Sequence, residues 1–269
     1  MRTELRLGSV VPHGVGGPES GAIDWIYIFL LHEFGQDVYR RIGINQIGED
    51  LNELVMKEPG NKIHCNIRYP VIENFETKSI EERNRIRLDV IHTALLRIAK
   101  YDKKLDTSKL EAIKNKILEN NFSFEFECKA YPKNKNKNLL AKMLVHPQMY
   151  KFDYYILIEE NGKLKCRLKI YSGGTDTFYF PFFFRFSKWE NNNEFVLTGT
   201  VKEVESHILI NECKIKIVNL TPYDNPPTFQ MFRMDISKEE KERAHQDYIH
   251  SLPPANAAII RQSLGDASN

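Results

Sequence analysis

Three patterns in this chain of 269 residues predict an α+β fold, an antiparallel β-meander of six or more strands with amphipathic helices packed on one face. Residues 79–121 carry apolar side chains at helical spacing behind recognisable caps. Residues 122–218 alternate apolar and polar side chains with period two. The links between the alternating segments are short and turn-like, and parallel pairing would need crossover helices for which they leave no room. A single domain over residues 1–220 follows, with a mixed helical region over residues 1–121 and a sheet over residues 122–220. Residues 221–269 read as a C-terminal helical extension.

In chain order, residues 4–11 suit one short strand, and Pro12-His13-Gly14-Val15-Gly16-Gly17-Pro18 reads as a flexible connector. The apolar block 22–38, with His32, Glu33, Gln36 and Asp37 near its end, reads as a helix. Residues 47–56 have helical spacing with Pro59-Gly60 as the stop, and 62–69 form a strand with Ile63, Cys65 and Ile67 on one face. Ser79-Ile80-Glu81-Glu82 matches a capping box, and Ile86, Val90, Ile91, Leu95 and Ile98 continue the helix behind it. Asp106 or Thr107 caps the next helix, whose stripe is Leu110, Ile113, Ile117 and Leu118.

At Phe122 the period changes: Phe122, Phe124, Phe126 and Cys128 face one way, and Ser123, Glu125, Glu127 and Lys129 the other. Further strands are expected over 139–145, 152–159, 164–171, 178–186, 195–203 and 207–218, the last interrupted at Asn211. Asn161-Gly162, Ser172-Gly173-Gly174 and Asn191-Asn192-Asn193 serve as turns. Ser237 and Glu240 form a second capping box, ahead of a charged helix that Pro253-Pro254 ends.

Composition narrows the function. With 42% hydrophobic and 28% charged residues, the chain falls outside the disordered, collagenous and membrane-embedded classes and reads as soluble. A formal charge of +2, from 38 basic and 36 acidic side chains, is too near balance to drive nonspecific binding to a phosphate backbone. The N-terminus lacks an apolar signal core, and the early apolar run 25–31 is too short to cross a bilayer, so a cytoplasmic address is expected. Cys65, Cys128, Cys166 and Cys213 are widely spaced within apolar-alternating segments, which predicts four reduced thiols acting as small hydrophobes.

Catalytic motifs fail at defined positions. His32-Glu33-Phe34-Gly35-Gln36 begins like a zinc-protease helix, but an amide stands where the second imidazole belongs. His245, Asp247 and His250 do not share a helical face as a four-residue step would allow, and Asp89 and His92, three apart, read as an intrahelical pair. The glycines at 14, 16, 17 and 21 match neither a P-loop nor a dinucleotide fingerprint. No metal or cofactor is predicted.

Recognition chemistry is better represented. Lys163, Lys165, Arg167 and Lys169 form a row on one face of a strand, to be weighed against a solvated face whose charges pair across strands. Residues 178–189 are aromatic-rich and read first as a central core strand, with an aromatic edge strand used for docking as the alternative. In that second reading Phe183, Arg185 and Trp189 are the candidate contact residues, since arginine and aromatic side chains are enriched at interface hot spots. Pro181 favours an edge or a bulge there. The expectation is a noncatalytic protein that binds another protein, with an inhibitor or immunity-type partner as one instance. The first alternative is a metal-dependent hydrolase or nuclease assembled from His32, Glu33, Asp89, His92 or the C-terminal histidines. The second is a nucleic-acid-binding protein that uses the basic and aromatic strand residues.

Overall fold

The computed structural model describes residues 4–10, 14–16, 20–134, 138–149, 151–174, 186–199, 201–224 and 226–258. Contacts group the chain into two compact units, Met1–Phe126 with His146–Lys151, and Glu127–Val145 with Phe152–Asn269. The architecture is α+β. The first unit holds the longest helix among the described residues, and the second is mostly antiparallel sheet.

In the first unit, β1 (Glu4–Ser9), β2 (Arg41–Ile47), β3 (Leu54–Glu58) and β4 (Lys62–Arg68) form a sheet in the order β1-β2-β4-β3. β1 and β4 flank β2 in parallel, and β3 pairs antiparallel with β4. Helix α1 (Gly21–Glu33) supplies the crossover from β1 to β2 that parallel pairing requires. It covers most of the 22–38 block read as helical.

Residues 47–56 are not helical. β2 ends at Ile47, and after a turn β3 starts at Leu54. Pro59-Gly60, read as a helix stop, belongs to the β3–β4 hairpin: Glu58 pairs with Lys62 across a three-residue loop in which Gly60 and Asn61 have φ of 77° and 60°. Val55 then sits opposite Cys65, and this pairing wins over a short run whose own period was ambiguous.

Helix α2 (Ile80–Asp102) starts at the expected capping box: the Ser79 hydroxyl accepts from the Glu82 amide while the Glu82 carboxylate accepts from the Ser79 amide. Asp106 caps α3 (Thr107–Glu119) by accepting from the amides of Ser108 and Lys109. Val90, Ile91, Leu95, Ile98, Leu110, Ile113 and Ile117 join Ile42, Ile44, Ile63 and Ile67 in one buried core. These helices therefore find their sheet in the N-terminal half of the chain. Asn121 and Phe122 take positive φ, so the next strand begins only at Phe126. Phe122 and Phe124 remain in the first core, where the ring of Phe126 stacks 4.3 Å from that of Phe29.

The second unit is built from β5 (Phe126–Ala130), β6 (Leu139–Pro147), β7 (Phe152–Glu160), β8 (Lys163–Gly173), β9 (Phe186–Asn191), β10 (Glu194–Thr198), β11 (Val204–Leu209) and β12 (Lys214–Asn219). Their order is β5-β6-β7-β8 in one sheet and β12-β11-β10-β9 in the other, so every hydrogen-bonded neighbour is a sequence neighbour. The meander is thus present as two four-stranded sheets. Asn161-Gly162 closes β7–β8 with φ of 54° and 77°, and the break expected near Asn211 falls in the turn between β11 and β12. Ser172 and Gly173 lie within β8 and do not form a turn. Of the strand expected over 178–186, only Phe186 lies within the described residues, as the first residue of β9.

The two sheets meet at both ends. At one, Trp189 donates its indole N–H to the Pro132 carbonyl at 2.6 Å and packs 4.9 Å from Phe195, which also touches Tyr131 at 5.3 Å. At the other, Cys166 on β8 and Cys213 in the turn before β12 form a disulfide with Cα atoms 5.4 Å apart. The expectation of four reduced thiols is corrected for this pair, while Cys65 and Cys128 remain thiols. A separation of 47 residues gives no local signal, because only strand packing brings the two together.

Two C-terminal helices complete the unit, α4 (Pro227–Met231) and α5 (Lys238–Ser251), the latter behind the Ser237–Glu240 capping box. Phe229 packs on Tyr171 at 5.1 Å, the Tyr171 hydroxyl donates to the Phe229 carbonyl, and the Met234 amide donates to the Ser172 carbonyl at 2.9 Å. The segment after residue 221 is therefore packed onto β8.

Candidate functional site

Lys163, Lys165, Arg167 and Lys169 are all exposed on β8 while Cys166 and Ile170 are buried, but the row expected on one face is interrupted. The ladder shifts register at Ile158/Glu159, so Arg167 and Lys169 share the face of Leu157 and Tyr155, whereas Lys163 stands opposite Glu160 beyond the shift and out of phase with them. β8 ends its sheet, and β7 pairs with it across the outer face, placing Tyr155 opposite Lys169 and Leu157 opposite Arg167. The row is partly neutralised within the face. Lys165 bonds Glu160 at 3.1 Å, and Lys169 bonds Asp153 at 2.8 Å. Arg167 lies over the Tyr155 ring, 4.5 Å from its centroid, a cation–π arrangement that suits a planar, delocalised guanidinium. Leu164, 59% exposed, stands beside them.

The aromatic candidates separate from this face. Trp189 is half-buried and engaged with Pro132 and Phe195, so packing accounts for it. Phe183 and Arg185 lie outside the described residues.

The dispersed acid and imidazole residues take separate partners. His32 bonds Asp37 at 2.8 Å, Glu33 bonds Lys116 at 2.6 Å, and the Gln36 side-chain carbonyl accepts from the Asp106 amide at 2.6 Å, tying the end of α1 to the start of α3. Asp89 accepts from Lys114 at 2.9 Å and from the Tyr69 hydroxyl at 3.1 Å. His92 is buried between the Tyr27 hydroxyl at 2.9 Å and Glu111 at 3.0 Å, linking α1, α2 and α3. His245 lines one groove beside α5, with Met231, Lys238, Lys241 and Glu242, while Asp247 and His250 line another with Asp224 and Arg243. Among the described residues, no set of three metal-ligating side chains converges.

A buried polar set at the C-terminal ends of β1 and β2 was not anticipated. Gln46 accepts from the Val15 amide at 2.8 Å and donates to the Tyr69 carbonyl at 3.0 Å, while Arg87 reaches from α2 to the Val15 carbonyl at 3.1 Å. Residues 14–16, read as belonging to a flexible connector, are thus clamped between sheet and helix. A Cβ on Gly16 would stand 2.5 Å from the backbone carbon of Gly8, so only glycine permits this approach. Asp24, in the first turn of α1, accepts from the Leu7 amide at 3.3 Å and the Ser20 hydroxyl at 3.4 Å. Burial pushes its carboxyl up to about 7 against the opposing pull of those donors and of Arg87 and Arg6. Arg83 and Arg87, a four-residue step inside an apolar stripe, were the available signal.

Comparison with known proteins finds no matching family, no matching curated protein and no matching solved structure. No helix among the described residues is long and apolar enough to cross a membrane.

Proposed function

We propose that this chain is a noncatalytic cytoplasmic protein that binds another protein through the outer face of β8, with an inhibitor or immunity role as one instance. The supporting observation is Arg167 over Tyr155, flanked by Lys165 and Lys169 and bordered by the exposed Leu164. Arginine and tyrosine are the residue types that concentrate binding energy at protein interfaces, and an apolar neighbour gives them a surface from which water is excluded. Carboxylates already pair Lys165 and Lys169. This favours a partner that exchanges individual ion pairs over one that meets an unbroken positive stripe.

The test is affinity capture from native lysate with the wild-type chain and with the double variant Lys165→Glu, Arg167→Glu, the fold of each verified by circular dichroism. A protein retained by the wild type and lost from the folded variant supports the proposal. Equal recovery refutes the role of this face. Capture of nucleic acid whose retention falls steeply with added salt would replace a protein partner by a phosphate backbone.

A further inference from the structure

We propose that Cys166–Cys213 is a redox-responsive latch that tethers the first half of β8 to the sheet ending in β12. β8 ends one four-stranded sheet and β12 ends the other, and no strand ladder joins them among the described residues. The disulfide is a covalent bridge across that seam. Its two ends differ in access. Cys166 is 2% exposed on the inner face of β8, in register with Ile158, whereas Cys213 is half-exposed in the turn between β11 and β12. The attack is therefore placed on the Cys213 end of the bond, which is the more accessible residue of the pair.

The exchange uses an external dithiol, for which dithiothreitol is the probe. Its thiolate attacks Cys213 Sγ, the S–S bond breaks, and the electron pair leaves on Cys166 Sγ, which takes up a proton. The reagent's second thiol then attacks its own sulfur in the mixed disulfide, releasing Cys213 as a thiol and the reagent as a cyclic disulfide. The cystine gains two electrons and two protons, and the dithiol loses them. The remaining cysteines are poor competitors: burial pushes the Cys65 thiol up to about 11, and Cys128 donates to the Met143 carbonyl at 3.2 Å.

Cys166 lies between Lys165 and Arg167, so the tether acts on the strand that carries the basic row. The second half of β8 is held by other means, the Ser172 carbonyl accepting from the Met234 amide and the Tyr171 hydroxyl donating to the Phe229 carbonyl. Reduction should loosen residues 163–168 and leave 170–173 in place. In a reducing compartment a bond of this kind forms only transiently, which suits a switch better than a permanent staple. The latch goes beyond the proposed binding role, and its test reads strand order alone, so either idea can fail without the other.

The experiment uses the full chain, oxidised with glutathione disulfide, compared with the same protein after dithiothreitol. Alkylation in denaturant should find two thiols before reduction and four after, from the four cysteines present. Native-state amide exchange over 164–168 should speed up about tenfold on reduction while 170–173 is unchanged. Cys213→Ser should show the fast pattern with and without dithiothreitol. Four alkylatable thiols in the oxidised sample would overturn the proposal. So would identical exchange in the two states, or a uniform loss of protection across both sheets, which would make the bond a global staple.

Discussion

Replacing Asp24 by asparagine tests the electrostatics of the first unit most directly. In the folded chain burial raises this carboxyl from the ordinary 3.8 to about 7, although the Leu7 amide, the Ser20 hydroxyl, Arg87 from α2 and Arg6 from β1 all oppose the shift. Below pH 3.8 the group is protonated in both folded and unfolded chains and contributes nothing to pH dependence. As pH rises toward 7 the unfolded chain gives up this proton while the folded chain keeps it, so stability falls. Above the folded-state value the whole penalty is present, about 4 kcal/mol at roughly 1.36 kcal/mol per pH unit. Asp24→Asn removes the titration and keeps an oxygen that can accept from Leu7 and Ser20. Its buried amide costs about 1–3 kcal/mol at every pH, which leaves the slope unaffected. Urea denaturation of both proteins from pH 4 to 9 measures the difference directly. The gap between the two stabilities should shift in favour of Asp24→Asn by a few kcal/mol between pH 4 and 8. Parallel stability curves would refute the assignment of a buried, neutral carboxyl.

Three further outcomes follow from the packing. His92→Leu leaves the Tyr27 hydroxyl buried without its imidazole partner and should lower stability by about 2–3 kcal/mol, read from the denaturation midpoint. Ser79→Ala removes the acceptor for the Glu82 amide and should cost about 1 kcal/mol, with faster amide exchange confined to the first turn of α2. Gly16→Ala forces its new methyl against the Gly8 backbone and should cost more than about 2 kcal/mol by urea denaturation, whereas Gly162→Ala, whose Cβ meets open space, carries only the smaller strain of its positive φ.

Legibility from sequence followed the range of the interactions. The caps at Ser79, Asp106 and Ser237 are each made within three residues, so local chemistry announces them. The clamp on Val15 joins Gln46 at a separation of 31 residues to Arg87 at 72, and no local pattern marks which loop they hold. Alternation made the exposure of the four β8 cations readable, but the register shift that takes Lys163 out of phase with Arg167, and the pairing of Lys165 and Lys169 with Glu160 and Asp153, needed the β7–β8 ladder. Asp89 and His92 are three residues apart on α2, yet each finds partners on other helices: α3 offers Lys114 to Asp89 and Glu111 to His92, and α1 offers Tyr27 to His92.

The amino-acid order alone determined the α+β class, the long helices and the sequential order of the meander, since propensity, capping and period act within a few residues of the chain. Tertiary structure decided the rest: which sheet the helices cover, that residues 54–58 pair as a strand, that the meander divides into two sheets, and that Cys166 meets Cys213. Each of these depends on surfaces far apart in sequence finding complementary shape and burial, a selection made by the folded whole and carried by no single segment.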